Sequence, residues 1–451
     1  MPRSHQELDQ GRKLKAAAPF ILVTVFLDML CVGIIIPVLP QLILSFLGGS
    51  VSQAGLWTGI FGCAWGLAQF VFSPIQGGLS DHFGRRPVVL ASNFGTGVDL
   101  IFMAVAPNLW WLFAGRIISG MTAASISTAY AYMSDVTEPH QRAKVFGMMG
   151  AAFGVGFILG PVLSAGVVSG GPMLIGYAGH LIAGFRHMTP DQVTLLSNRL
   201  PFWVAAMLSL ANFLYGFFVL PESLAPEKHK PFSFHTANPL GAIRFLSRSA
   251  QLLRLAGMYL MIYFAQSVFP TTFVLYAKYR FGWGPPQVAL CLGAVGVLTA
   301  IVQAGLTGMI VKRVGERKAM FIGLICGGIA FFGYAFAPTW PIFVAFLPIG
   351  AFWGIAGPNI QALMTSLVGG KEQGTLQGSN TSLSSAANIV APLIFGSLLS
   401  FVTGPSVPAQ FSGASFILAG IFMMLCLALG LGVKQTKGHH PHPDETVPPH
   451  A

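Results

Sequence analysis

Long apolar runs recur along almost the whole chain, and they constrain its fold more than any other feature. Twelve of them lie near 18–46, 56–77, 87–106, 108–133, 145–169, 201–221, 252–275, 287–311, 319–337, 341–367, 376–402 and 411–433. Each is close to the length that crosses a bilayer as a helix, about 20 residues. In lipid the backbone must satisfy its own hydrogen bonds, so each run is predicted to be a membrane-spanning α-helix. The short alternating segments of a membrane β-barrel are missing. The expected class is all-α integral membrane, with twelve transmembrane helices. Only 9% of the 451 residues are charged, against about a quarter in a soluble domain.

The net charge of +11 would point to nucleic acid in a soluble protein. Here the distribution of the charge gives a different reading. Twenty of the 25 Lys and Arg residues fall on one side of the twelve spans, and only Arg186, Arg199, Lys278 and Arg280 fall on the other. Positive residues mark the cytoplasmic side, so both termini are expected in the cytoplasm and no nucleic-acid partner is expected. The start, MPRSHQELDQGRKLK, lacks the apolar core of a signal peptide. The first span is therefore expected to act as an uncleaved insertion signal. Cys31, Cys63, Cys291, Cys326 and Cys426 all fall inside spans and read as small packing residues.

A repeat runs through the chain. Gly77 and Gly308, Gly84 and Gly315, Arg86 and Arg317, Gly147 and Gly378, and Pro161 and Pro392 are each 231 residues apart. The pattern predicts two pseudo-symmetric six-helix halves, a plan known in transporters. The boundaries read as 1–221 for the first half, 222–250 for a cytoplasmic linker, 251–433 for the second half and 434–451 for a disordered tail. Within the linker, Asn238 and Pro239 can open a short helix. Leu240, Ile243 and Leu246 would face lipid, with Arg244 and Arg248 at headgroups; a plain tether fits equally. Residues 170–200 read as a long outer loop, with a capping box from Thr189 to Gln192 opening a short helix. His439, His440 and His442 offer at most weak metal binding in the tail, and no metal site is assigned.

The stretch Gly77-Gly78-Leu79-Ser80-Asp81-His82-Phe83-Gly84-Arg85-Arg86-Pro87 places charge in a tight turn between two spans. Gly77 permits close helix approach, Gly84 permits positive φ, and Arg85 and Arg86 hold the turn in the cytoplasm. Asp81 sits at the membrane edge, four residues before Arg85, and Asp135 closes the fourth span on the same side. An Asp81–Arg85–Asp135 cluster is expected to latch helix bundles in one state of a switch.

Of the fourteen acids, only Asp28 and Asp99 lie within spans, and Arg116 is the one cation there. A charged acid inside a span costs roughly 3 kcal/mol to insert. Protonation would release a carboxylate–Arg116 pair, and substrate could compete for the same charge. A permanent buried ion pair is the alternative. Two acids against one arginine favour a neutral or cationic amphiphile. Tyr259, Tyr263, Gln266, Phe269, Phe273, Gln303, Trp353, Asn359, Gln361, Asn380 and Asn388 in the second half offer rings and amides to a flat ligand. No phosphate loop, Cys/His constellation or nucleophile–base pair is present, so no enzyme activity is expected.

Several of these motifs resemble a known family. Asp81 and its neighbours are similar to the loop motif of the major facilitator superfamily. Leu112 to Gly120, around Arg116, resembles its fourth-helix arginine motif. Gly156-Phe157-Ile158-Leu159-Gly160-Pro161 resembles its drug–proton antiporter motif, with Ser164-Ala165 replacing the usual closing glycine pair. Phe26-Leu27-Asp28, Gly33 to Pro40, Gln69, Asp99, Tyr279 to Trp283 and Gln373 to Gly378 narrow the resemblance to tetracycline efflux pumps. The resemblance implies a twelve-helix, proton-coupled exporter of amphiphilic drugs in a bacterial inner membrane. It implies a monomer that needs no cofactor beyond the proton gradient. It also places Asp28, Gln69, Asp99, Arg116 and Gln303 in or near the transport pathway. Two positions depart from it: Thr299 stands where the pumps carry a histidine, and Gly327 where they carry an aspartate, which leaves tetracycline itself open as a substrate. A metabolite facilitator working by symport or uniport is the alternative transporter, and a membrane receptor or scaffold the alternative outside transport.

Overall fold

Apolar runs with glycine-rich faces become helices that pack backbone to backbone, and the computed structural model shows this over residues 5–123, 125–137, 141–181, 187–224, 244–369 and 372–433. No strand occurs among the described residues. Among the described residues, eleven helices are long and apolar enough to cross a membrane. They are α1 Pro19–Phe46, α2 Val51–Phe83, α3 Arg85–Ala104, α5 Val145–Ala178, α6 Pro190–Val219, α7 Ala250–Phe281, α8 Pro285–Val314, α9 Glu316–Phe336, α10 Trp340–Thr365, α11 Thr375–Val402 and α12 Ala409–Leu431. The expected fourth span is described in two pieces on either side of Ala124, which lies outside the described residues. Its pieces, Leu109–Thr122 and Ser125–Val136, together called α4, are each too short to cross alone.

Local chemistry sets several of the boundaries. Ser50, Asn108 and Ser249 accept hydrogen bonds from the backbone N–H groups of Gln53, Trp111 and Leu252 and so cap their helices. The capping box at Thr189 and Gln192 forms, but it opens α6 itself rather than a short helix in an outer loop. The helix containing α5 runs on to Leu181, so the expected loop over 170–200 is largely two extended helices. The linker positions Asn238, Pro239, Leu240 and Ile243, and the tail positions His439, His440 and His442, lie outside the described residues. Leu246 is buried in the core rather than facing lipid, with Phe245 beside it, and Arg248 pairs with Glu372 at 2.8 Å.

The repeat is visible in the backbone. Gly84 (φ +102°) and Gly315 (φ +82°) are each the single residue between two helices. A side chain would be strained at either position. Two residues on, Arg86 donates to the Phe217 carbonyl near the end of α6, and Arg317 donates to the Leu431 carbonyl at the end of α12. The contacts between halves follow the same symmetry: α2 meets α11, and its repeat mate α8 meets α5.

Those contacts close one end of the molecule. Ser52 Oγ donates to the Ser400 carbonyl at 2.7 Å. Gly55, Gly59 and Gly66 of α2 lie directly against Gly396, Pro392 and Asn388 of α11. Val162 and Ile158 of α5 fill the space beside Gly293 and Gly296 of α8. Toward the Gly84/Gly315 end, Gly77, Gly147, Gly154, Gly308 and Gly378 face open space. The close glycine contacts between the halves thus lie toward the Ser52/Ser400 end.

Candidate transport pathway and gating cluster

The first half brings α2, α3 and α4 together around Asp99 and Arg116. Gly115 and Gly120 of α4 make this possible. Gly115 sits against the Asp99 carboxyl and Met103, and Gly120 sits against the backbone of Trp65 and Gln69. Asp99 is 1% exposed, with the Ser119 hydroxyl and the Arg116 guanidinium as its polar neighbours and no well-aligned hydrogen bond to either carboxylate oxygen. The Arg116 guanidinium lies 5.4 Å from the centroid of the Trp65 ring, and its Nε is buried without a partner. The expected Asp99–Arg116 pair is thus a pair of neighbours on adjacent helices, not a bonded ion pair in this conformation. Gln69 is half-buried on α2.

Asp28 is half-buried on α1 and interacts with a neighbour. Its surroundings are fixed by the antiporter-motif residues. Gly156 lies against the backbone of Phe26 and Leu30, and Gly33 of α1 lies against Gly160 and Pro161. Any larger residue at 156 or 160 would push α5 off α1 on one side of Asp28 or the other. One turn before Asp28, Thr24 donates to Asn212 of α6 at 3.2 Å, both buried.

The second half supplies a neutral wall. Gln303 is exposed and sits in a π-helical turn, Val302–Leu306. Opposite it, the 3₁₀ turn Phe352–Ile355 carries Trp353 and Gly354. Gly354 lets the Gln303 carboxamide and the Thr299 methyl approach its Cα. The Trp353 ring fills the space a side chain on Gly327 would need, and its Nε1 is buried without a partner. The two departures from the family pattern, at Thr299 and Gly327, are therefore linked through two consecutive residues of α10. Irregular turns of this kind often mark functional sites. Tyr259 donates to the Tyr263 hydroxyl at 3.2 Å, and Gln266 is exposed one turn further on. Gln361 is half-buried and donates to Gln377 at 2.8 Å.

Some expected pathway residues lie elsewhere. Asn359 is 3% exposed, and its amide donates to the Ile355 carbonyl of its own helix. Phe273 is fully buried, stacked on Phe343 at 5.7 Å. Asn380 is fully buried too. Asn359 and Phe273 belong to packing in this conformation, whereas both amide atoms of Asn380 are buried without a partner.

The charged stretch at residues 77–87 is not a loop. α2 runs through Asp81 to Phe83, and α3 starts at Arg85. Arg85 bonds Asp81 at 2.5 Å, Asp135 at 3.1 Å and Ser80 at 2.9 Å. All three partners lie in the first half, so in this conformation Arg85 is held within its own bundle. The sequence reading missed Glu222. Its carboxylate accepts from the backbone N–H groups of Arg85 (2.8 Å), Arg86 (3.1 Å), Ser223 (2.9 Å) and Leu224 (3.0 Å). Proximity of Pro221 and Ser223 to the end of the sixth span gave no sign of a partner 137 residues away.

The arrangement is one of two helical bundles, closed at one end, with a buried acid and arginine in the first and a polar neutral wall in the second. Comparison with known proteins agrees with that architecture. The model of the Major Facilitator Superfamily matches residues 21–392, with a second match over 306–449. Tetracycline resistance protein, class C, of Escherichia coli is 33% identical over 408 residues, covering 90% of this chain and 94% of that protein. Multidrug resistance protein 2 of Bacillus subtilis is 27% identical, covering 92% of this chain and 95% of that protein. A solved bacterial homologue of the human lysosomal transporter Spinster, inward-facing and unoccupied, superposes with a TM-score of 0.73 at 15% identity, covering 93% of this chain and 96% of that one. The chain is a member of the major facilitator superfamily, with the fold of that family.

Proposed function

We propose that the protein is a monomeric, proton-coupled exporter of neutral or cationic amphiphilic drugs. It works by alternating access in a bacterial inner membrane, with both termini in the cytoplasm. The observation that carries this reading is Asp99, buried in the first bundle near Arg116 and Ser119 but without an ion pair. A charge buried without a partner is costly, so such a position suits a group that holds a proton in one state and a counter-ion in another. Arg116, on the adjacent helix, is the nearby cation that can take that part when the bundles rock. Asp28, between the antiporter-motif contacts of α5, is the second acid through which substrate and proton alternate.

The relatives named for tetracycline and multidrug resistance support a drug as cargo. The wall of Thr299, Gln303, Trp353 and Gly327 carries no acid or histidine, which favours a ligand recognised by stacking and neutral hydrogen bonds over a metal chelate. With the Gly84/Gly315 end in the cytoplasm, as the charge distribution implies, the conformation described opens inward.

The test is substrate-driven proton flux in everted vesicles, with cationic dyes and with tetracycline with and without magnesium. Proton release on substrate addition, lost in Asp99→Asn and in Asp28→Asn, is expected. Transport that is normal in both variants overturns the coupling. Transport of a metabolite but of no drug in the panel turns the reading to a facilitator.

A further inference from the structure

The two repeat-related turns at the open end differ in charge. In the first half, Arg85 is paired with Asp81 and Asp135, Glu222 accepts from the backbone N–H groups of Arg85 and Arg86, and the Arg86 guanidinium donates to the Phe217 carbonyl. In the second half, Lys312 and Arg313 close α8, Arg317 and Lys318 open α9, and a single acid, Glu316, stands among them. Lys312, Arg313 and Lys318 are exposed, and no described acid pairs with them. Two further groups draw the patch together: Arg317 donates to the Leu431 carbonyl at 3.3 Å, and Arg254 to the Gly432 carbonyl at 2.7 Å. The starts of α7 and α9 therefore converge on the end of α12.

Large apolar side chains flank this cationic patch on the membrane side. Met309 is 52% exposed, one turn before Lys312 and Arg313, and Leu431, whose carbonyl holds Arg317, is 72% exposed. A soluble anion would have no use for that rim, whereas a lipid matches it with acyl chains below and a charged headgroup above. We infer that Lys312, Arg313, Arg317 and Lys318, with Arg254, form a binding site for the headgroup of an anionic phospholipid at the open end of the second half. In the corresponding turn of the first half, Arg85 is already neutralised by Asp81 and Asp135. Juxtamembrane cations gain from anionic lipid within a Debye length of the surface.

The test is native mass spectrometry of the full-length protein released from detergent containing equimolar phosphatidylglycerol and phosphatidylethanolamine. Wild type is expected to retain phosphatidylglycerol with a preference on the order of tenfold. The triple variant Lys312→Gln, Arg313→Gln, Lys318→Gln, which spares both arginines that hold backbone carbonyls, is expected to lose that preference. Lys278→Gln, at the opposite end of α7, should keep it. The charge-conserving pair Lys312→Arg, Lys318→Arg should also keep it, which separates lipid recognition from a failure to insert or fold. Equal retention of both lipids by wild type, or a preference that survives the triple change, overturns the inference. Displacement of the lipid by millimolar inorganic phosphate overturns it in favour of a soluble anion.

Discussion

Glu222 caps the helix that begins at Arg85: its carboxylate accepts the Arg85 backbone N–H at 2.8 Å and that of Arg86 at 3.1 Å. The bond joins the end of α6, where the linker begins, to the turn between α2 and α3. Gly84 makes room for it, because a Cβ there would occupy the position of the Glu222 carboxyl. A helix N-terminus favours a carboxylate both by hydrogen bonding and through its dipole.

Two substitutions test that cap. Glu222→Ala should cost about 1–2 kcal/mol of stability, and Glu222→Gln less, since one amide oxygen can still accept. Gly84→Ala adds a left-handed strain of about 1–3 kcal/mol and displaces the same carboxylate. Thermal unfolding of the purified protein is the measurement. The two changes act on one contact, so the double variant should fall short of the sum of the singles. Additive losses would show that Glu222 and Gly84 act independently.

Asp81 behaves differently, because its bond to Arg85 is partly open to water, the aspartate side chain being 39% exposed. Exposed ion pairs contribute about 0–1 kcal/mol, so Asp81→Asn should leave unfolding nearly unchanged. If Arg85 exchanges partners as the bundles rock, the cycle slows: turnover should fall severalfold with little change in substrate affinity. An affinity loss at normal turnover would contradict a gating role.

The wall at Gly327 gives a third prediction. A Cβ at this position would stand 2.8 Å from the Trp353 ring, so Gly327→Ala should cost about 1–3 kcal/mol through overpacking. Gly327→Asp should cost at least as much, because a carboxylate would be driven into an aromatic face. Trp353→Ala removes the obstacle, and the double variant Gly327→Asp, Trp353→Ala should recover stability relative to Gly327→Asp alone. Unfolding temperatures of the three variants decide it. No recovery would mean that the aspartate is limited by something other than the ring.

How far these features could be read in advance depends on the range of the interactions involved. The spans were legible because lipid imposes helices on any run of sufficient length, and Gly84 and Gly315 were legible because positive φ selects glycine. Residues 170–200 read as an outer loop, whereas the helix containing α5 continues to Leu181, with Gly171 against Ser197 of α6. Asp28, Asp99 and Arg116 stood out because ionisable groups are rare in spans. Glu222 did not, since its partner is distant in sequence. Asn359 looked available to a ligand, but its amide is taken up by its own preceding turn.

The seam between α2 and α11 is where alternating access can be tested most directly. Ser52 and Ser400 share two hydrogen bonds, from Ser52 Oγ to the Ser400 carbonyl at 2.7 Å and between the two hydroxyls at 3.2 Å. Hydroxyls that close bring the Cβ atoms within reach of a disulfide after small adjustments. The double variant Ser52→Cys, Ser400→Cys should therefore form a cross-link with mild oxidant, while neither single variant does. If the closed end must part during the cycle, cross-linking should abolish transport and reductant should restore it. Below the serines, a Cβ on Gly396 would stand 2.7 Å from the Gly59 Cα, so Gly59→Leu should prevent the seam from closing and bias the protein toward its other conformation. In that variant the cysteine pair should cross-link poorly. Full transport in the cross-linked protein would show that this seam is static and that the halves move about some other contact.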